Sequence, residues 1–486
     1  MSEQQTGGLV ALWAFVITSV ALFMVTLDNL VVTTALPVIR VELGASLEDL
    51  EWTVNAYTLT FAVFLLTGAA LGDRFGRRRM FVIGMAIFTV ASAAAALAPT
   101  IEALVIARAV QGVGGAIVMP LTLTLLSAAV PPARRGVALG AWGGISGLAV
   151  AMGPLVGGAV VEAASWQWIF WLNVPIGLVV MPLAWRFLQE SHGPARSLDL
   201  RGLAIVSVGL FAVVWGVVRG NGQGWTSPEV LGSLIVGAVL LAIFVAWELR
   251  TREPMLPMSF FKKRAFAVTN GVSFLMFFGM FGAIFLLAQF LQTVQGYSPL
   301  EAGLRTLPWT GMPLLIAPIA GALSDRIGGR PLLASGLALQ AIGLGWLALV
   351  LTPTVAYSEL VAPFAIAGIG MSLFFAPVAN VILSSVRREQ EGQASGVANA
   401  NRELGGVFGV AVLAAVFASF GGYETPQSFV DGLVPAVAVG AILVGIAAVM
   451  ALAIPKMRRT DQGLVVDDGG EAQDPELETA PAAAPT

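Results

Sequence analysis

About fourteen long apolar stretches, basic charge on every second connector and one loop that occurs twice predict an all-α polytopic membrane protein. The plan is two related six-helix halves with two extra helices between them. Of 486 residues, 57% are hydrophobic and 11% charged, and apolar segments recur along nearly all of the chain, as in proteins that cross a bilayer many times. There is no cysteine, and the one histidine, His192, sits in a polar connector and reads as an exposed loop residue. Disulfides, thiolate metal sites and multi-histidine metal sites are therefore excluded.

A helix crosses the hydrocarbon with roughly twenty apolar residues. On that measure the spans fall approximately at 10–36, 52–72, 80–98, 101–127, 137–161, 167–188, 201–219, 229–248, 266–292, 300–323, 331–351, 358–384, 396–419 and 432–455. No short cleavable signal is expected ahead of the first, which is itself of full length. Arg74, Arg77, Arg78 and Arg79 follow the second span, Arg134 and Arg135 the fourth, and Arg196 and Arg201 the sixth. Arg250, Arg252, Lys262, Lys263 and Arg264 follow the eighth, Arg326 and Arg330 the tenth, and Arg387 and Arg388 the twelfth. Lys456, Arg458 and Arg459 follow the last, while connectors after odd spans hold only Arg40 and Arg219. The positive-inside rule then puts both termini in the cytoplasm and supports an even span count.

The net charge of -3 conceals a division. All 26 Lys and Arg lie at or before Arg459, whereas seven acids follow it, leaving 22 acids against 26 bases in the body, or +4. The tail, rich in acid, Ala and Pro, reads as disordered. Lys is scarce against Arg, Ala and Gly, which fits a GC-rich bacterial genome and a bacterial inner-membrane location.

Ala69-Ala-Leu-Gly-Asp73-Arg74-Phe-Gly76-Arg77-Arg78 returns as Gly321-Ala-Leu-Ser-Asp325-Arg326-Ile-Gly328-Gly329-Arg330. Both copies join the second and third spans of a group, and such repeats are typical of transporters. Eight spans separate the loops where two six-helix halves need six, so the seventh and eighth are the surplus. The organisation is a cytoplasmic N-terminus (1–9), a first half (10–188), two linking spans with their loops (189–265), a second half (266–455) and an acidic tail (456–486).

Asp28 is the one acid well inside the first span, and an ionisable group at that depth is a functional candidate by default. It lies about nine residues, roughly 13 Å, below the outer end of its span, and Arg108 lies about seven residues, roughly 10 Å, below the same surface on the fourth. The two are expected to share one outer-leaflet cavity. An arginine beside a carboxylate favours its charged form and burial the neutral one, so opening and closing the cavity suits a proton carrier. A permanent salt bridge that only locks two helices is the alternative. Gln111, one turn from Arg108, is placed to hold water or substrate.

Several motifs, in order, resemble the major facilitator superfamily, and within it the fourteen-span drug:proton antiporters. They are the paired loops, with Ala69 where the first copy usually has Gly, and Leu27 to Pro37 in the first span. Arg108-Ala-Val-Gln111-Gly112-Val-Gly114-Gly115 is similar to the fourth-span motif. Gly147 with Gly153-Pro154-Leu-Val-Gly157-Gly158 is similar to the fifth. Trp166-Gln-Trp168-Ile-Phe170-Trp-Leu-Asn173-Val-Pro175-Ile-Gly177 matches the start of the sixth, with Gln167 where Arg is usual. The resemblance implies a major facilitator fold and proton-driven export of lipophilic, antibiotic-like compounds, with Asp28 and Arg108 in coupling. Export of a single endogenous metabolite, lipid or siderophore is the runner-up, and proton-coupled uptake a third reading. No enzyme activity and no cofactor are expected. A Walker loop is absent, so the proton gradient is the expected drive.

Glu403 is the second choice for a protonatable group. It is placed with Arg402 in the inner third of the thirteenth span, out of reach of Asp28, with Arg402 snorkelling to the interface as part of an inner gate. Asp73 is expected at the positive end of the thirteenth helix, and the resemblance implies that this contact, completed by Arg74, Arg77 and Arg78, latches the cytoplasmic side shut when the transporter faces outward. Asp325 and Arg326 are their counterparts in the second copy. Gly153, Pro154, Gly157 and Gly158 allow a bend and close helix approach; the resemblance ties them to antiport. Phe274, Phe277, Phe278, Phe281 and Phe285 form a stripe on the ninth span, with Met276, Met280, Gln289 and Gln292 nearby. It faces either a substrate cavity or lipid and other helices. Asn55, Tyr57, Trp142, Trp309, Asn399 and Asn401 are further binding candidates, and Glu162 and Glu248 read as solvated. The expected partners are the bilayer, protons and a lipophilic or cationic small molecule, with no nucleic acid and a monomeric state.

Overall fold

The computed structural model describes residues 3–130, 135–192, 199–386, 391–455, 457–460 and 463–466. Among them are α1 (Glu3–Leu43), α2 (Leu47–Phe75), α3 (Arg77–Ala96), α4 (Ile101–Ala129), α5 (Arg135–Ala163), α6 (Trp168–Trp171), α7 (Asn173–Phe187), α8 (Leu200–Gln223) and α9 (Pro228–Glu248). The second part holds α10 (Arg264–Gln289), α11 (Pro299–Thr310), α12 (Met312–Ile327), α13 (Gly329–Val350), α14 (Tyr357–Ser384), α15 (Glu391–Phe420) and α16 (Pro426–Ala451). All fourteen predicted stretches are helical, and twelve are long and apolar enough to cross a membrane. The fifth offers only the short apolar segment Met152–Ala163, and the tenth is split into helices of 12 and 16 residues.

Local chemistry sets the boundaries. Ser46 caps α2 in a reciprocal box with Asp49, and Ser298 does the same for α11 with Glu301, satisfying amides that the first turn leaves free. Gly76 (φ 101°) and Gly328 (φ 82°) end α2 and α12 at equivalent places in the two repeated loops. A positive φ admits glycine without strain, so the repeated Gly is a shared backbone requirement. Pro37 does not end the first helix, which continues to Leu43 and carries Arg40 in its last turn. Two departures concern the tail, expected to be disordered. Met457–Thr460 (β1) and Gly463–Val466 (β2) pair antiparallel, helped by the β-favouring Val465 and Val466.

The halves repeat their packing. In the first, α1 packs on α5, α2 on α4, α3 on α4 and α7. In the second, α10 packs on α15, α11 and α12 on α14, and α13 on α14 and α16. The scheme is the same, shifted by eight spans. Two seams join the halves, α2 against α15 and α5 against α11, and these too are equivalent under the repeat. The end of the bundle holding Gly44, Leu97 and Tyr423 is called the far end below; the opposite end holds the repeated loops.

The extra pair, α8 and α9, packs together, and α8 lies against α2 and α15. Trp52, Phe211 and Trp215 stack there with ring centroids 5.6–5.8 Å apart, and Arg219 bridges Glu48 at 3.0 Å and Glu229 at 2.7 Å. This base, near the end of α8, thus pins the pair to α2. Glu248, expected to be solvated, is buried and accepts from Leu256 N at 2.9 Å.

The fifth-span glycines form a two-sided contact. A Cβ on Gly157 would come within 2.3 Å of Thr34 Oγ1 on α1, and one on Gly158 within 2.2 Å of the Pro299 carbonyl on α11. Gly303 approaches the Pro154 carbonyl in the same way, at 2.3 Å. Overpacking a tight site costs about 1–3 kcal/mol, so Gly158→Val should lower the melting temperature of the purified protein by several degrees. Gly222→Ala, where a Cβ meets nothing within 4 Å, should leave it unchanged or raise it.

Candidate functional site

The fourth-span motif builds the site by letting backbones approach. A Cβ on Gly112 would strike Tyr57 O at 2.3 Å, and one on Gly114 would strike Phe88 N at 2.5 Å. Glycine at both positions draws α4 against α2 and α3, and Thr60 Oγ1 donates across to Ala109 O at 2.8 Å. Arg108 and Gln111, three residues apart, then share the face turned to α1. Asp28 is waiting there.

Arg108 Nη1 donates to Asp28 Oδ2 at 2.5 Å and to Gln111 Oε1 at 2.8 Å. Gln111 Nε2 donates to Asp28 Oδ1 at 2.9 Å, and Asn173 Nδ2 donates to the same oxygen at 2.7 Å. Arg108 Nε donates to Thr53 O at 3.3 Å, and its guanidinium lies 4.1 Å from the Tyr57 ring centroid. Asp28 is 3% exposed and Arg108 0%. An uncompensated charge at such burial costs several kcal/mol; here the carboxylate has three donors, and the cation has three acceptors and a ring face. Arg108 Nη2 alone has no partner. The expected sharing of one layer is met by direct contact, but the pair is enclosed rather than facing an open cavity. Gln111 and Tyr57, candidates for substrate, are used in this cluster, with the Tyr57 hydroxyl donating to Val25 O at 3.3 Å.

Asn173 was missed as a site residue. It is the first residue of α7, held also by Ser92 Oγ at 3.1 Å, which donates to Phe170 O at 2.8 Å. Its signal was an amide inside the sixth-span motif. Asn29 was missed too: its Nδ2 donates to Glu403 Oε2 at 3.4 Å. Glu403, placed in the inner third and remote from Asp28, is instead buried across from the residue next to Asp28. Arg402 does not snorkel; it pairs with Glu403 at 2.7 Å and lies 5.8 Å from the Phe277 ring. α15 packs on α2 and α10, and Glu403 lies on its buried side with Arg402 beside it.

Asp73 pairs with Arg77 at 2.7 Å within its own loop, and among the described residues no ion pair joins it to α15. Arg78 donates to Trp185 O and Leu188 O, each at 3.3 Å, and Glu190 accepts from the backbone of Arg78 and Arg79. Arg74 lies 5.4 Å from the Phe75 ring. These bases tie the loop to the end of α7 in the same half. The Asp325, Arg326 and Trp142 side chains lie outside the described residues.

The ninth-span stripe faces protein. Phe277 meets Phe374 and Phe375 at 5.9 and 5.8 Å, Phe274 meets Phe408 at 5.8 Å, Gly409 packs on the Phe278 backbone, and Phe285 is fully buried. Phe281 lies against Gly406, and Met276 and Met280 are core residues. Gln289 is buried between Phe285 O and the Tyr423 hydroxyl, so it is a packing group. Gln292 donates across the halves to Thr34 O at 2.9 Å. Glu162 is exposed as expected, yet it accepts from Ser298 Oγ at 2.5 Å and so also spans the halves. Asn401 donates to Asn270 O at 2.7 Å, and Asn399 to Ser395 O in its own helix. Asn55 is fully buried with neither amide atom partnered.

Toward the far end from Asp28, a small cavity of about 20 Å³, room for one water, lies between the halves. Thr33, Thr34, Pro154, Leu287, Trp309 and Phe364 are among its lining residues, and the Trp309 indole N–H has no partner. Arg40 stacks 3.4 Å above the Tyr423 ring centroid. Burial raises the Tyr423 hydroxyl well above its ordinary range, Arg40 pulls it down in part, and the charge of Glu51 pushes it up.

The sequence matches the Major Facilitator Superfamily profile over residues 18–304 and 269–473. It is 36% identical over 411 residues to the multidrug resistance protein Stp of Mycobacterium tuberculosis, covering 84% of this chain and 76% of that one. It is 34% identical over 421 residues to the tetracenomycin C resistance and export protein of Streptomyces glaucescens, covering 86% and 78%. In fold it is similar to a crystallised POT family transporter in complex with a thioalcohol-conjugated peptide, with a TM-score of 0.68 and 15% identity over 92% of this chain and 96% of that one.

Removing one partner of a buried ion pair costs about 3–5 kcal/mol because the other is left charged and alone. Arg108→Met should therefore destabilise the purified protein strongly, and adding Asp28→Asn should recover much of the loss. A double-mutant cycle on thermal or denaturant unfolding checks this.

Proposed function

Since the chain belongs to the Major Facilitator Superfamily, a superfamily of membrane transporters, we propose that it exports lipophilic, antibiotic-like compounds in exchange for protons. The observation that carries the reading is the enclosed Asp28–Arg108 pair, an ionic couple inside a bundle whose halves meet along two equivalent seams. The relatives named for multidrug resistance and for tetracenomycin C resistance and export support the direction of transport. The apolar lining between the halves supports a lipophilic cargo.

In this reading, rocking of the halves exposes Asp28 to one side and then the other. A proton added to Asp28 removes its attraction for Arg108. Gln111 Oε1, Thr53 O and the Tyr57 ring, already in contact with the guanidinium, keep the cation satisfied while the pair is apart. Gln111 and Asn173 hold the neutral acid in place. Export then follows when protonation favours release of cargo and the proton leaves on the opposite face. The drive is the proton gradient, and the location is the cell membrane with both termini in the cytoplasm.

In vesicles with an imposed proton gradient, Asp28→Asn should lower uphill movement of a lipophilic dye by about tenfold or more, with loss of the accompanying proton flux. Intact proton-driven pumping by that variant would remove the assignment.

A further inference from the structure

A second polar file, not used in the exchange just described, leads from the charge cluster toward the far end. Glu51, Asn55 and Thr58 occupy positions i, i+4 and i+7 of α2 and so lie on one face. The flanking faces are accounted for. The Thr53 carbonyl and the Thr60 hydroxyl meet α4, while Trp52, Leu59 and Val63 pack with residues of α8 and α15. The remaining face looks into the seam between α2 and α15.

Glu51 is 3% exposed with Oε2 unpartnered, and Asn55 is unpartnered at both amide atoms. Among the described residues no base lies within 4.0 Å of Glu51. The charged and titratable groups around it are engaged elsewhere. Glu48 on α2 holds Arg219 of α8, Arg40 of α1 stacks on Tyr423, and Glu42 of α1 accepts from Trp166 Nε1 at 2.8 Å. Thr58 donates to its own helix at Val54 O. A bare carboxylate in this position costs several kcal/mol, and a protonated one much less.

We propose that Glu51 is a second proton-binding site, loaded from the far side before that end of the seam closes, with the unpaired amide of Asn55 as the next hydrogen-bonding station toward Asp28. The step is carboxylate plus a proton from bulk water giving the neutral acid, reversed when the far end reopens. Closure of the far end is thereby conditional on a proton. The inference rests on the exchange mechanism above and deepens it.

The chain has no cysteine, so spin labels can be placed cleanly at Leu97→Cys and Leu349→Cys, exposed positions at the far ends of α3 and α13. Label-to-label distances are read by pulsed electron resonance in lipid vesicles, in acid and in alkaline buffer. The unmodified Glu51 protein should populate the short distance in acid and the long one in alkali. Glu51→Gln and Glu51→Leu should both keep the short distance in alkali, changing the closed-to-open ratio there by about tenfold or more. The proposal is overturned if both variants follow the same pH dependence as the parent, or if the parent does not respond to pH. Dye flux by Asp28→Asn separates the two levels. If that variant is inactive and Glu51→Gln titrates like the parent, only the Glu51 assignment fails; if Asp28→Asn still pumps, the coupling reading fails by itself.

Discussion

A carboxylate and a guanidinium cannot be taken out of water unless nearly every lone pair and proton on them is answered, and this requirement organises the first half of the bundle. Asp28 comes from α1, Arg108 and Gln111 from α4, Asn173 from the first turn of α7 and the Thr53 carbonyl from α2. Four helices are thus held in register by one charge pair. The glycines of α4 belong to the same constraint, because without their close approach to α2 and α3 the arginine would not lie over Tyr57. A group that holds so many elements together is also one whose neutralisation is felt by all of them, which is what coupling a proton to a helix movement demands.

The second constraint is the symmetry of the seams. α2 against α15 and α5 against α11 are equivalent under the internal repeat, so the two halves meet through two contacts of the same kind. Glycine contacts recur on both. Gly158 meets the Pro299 carbonyl, and Gly396 at the start of α15 meets Leu66 of α2. Side-chain ties between halves cluster at the far end, through Gln292, Glu162 and the Arg40–Tyr423 stack. These are few and polar, the kind of contact that water can replace when the seam parts. The extra pair α8–α9 leans on the outside of the α2–α15 seam through aromatic stacking and Arg219, bracing it without entering the interior.

The parts legible in the sequence were those that obey a one-dimensional rule. Apolar length located the helices, and the Asp-Arg-x-Gly loop revealed the repeat, down to two glycines that both adopt positive φ. Depth arithmetic brought Asp28 and Arg108 to one level because rise per residue is constant. What misled was any inference needing rotation about a helix axis or the partner of a long side chain. Asp73 looked free to latch a distant helix, yet Arg77 one turn away takes it first. Glu248, at a span end, looked solvated, yet the connector after α9 returns to give it the Leu256 amide. Gln289 looked like a binding group and is a strut for Tyr423.

Spacing and hydropathy along the chain thus determined the places of the helices, the twofold plan and the level of its central charge pair. Those properties depend on the hydrocarbon thickness and the helix rise, which are common to all such proteins. Which polar atoms meet, which are left without a partner and which faces close on one another was decided only in three dimensions. A hydrogen bond depends on a few tenths of an ångström and on the angle at which two helices pack, and neither quantity is written at any single position.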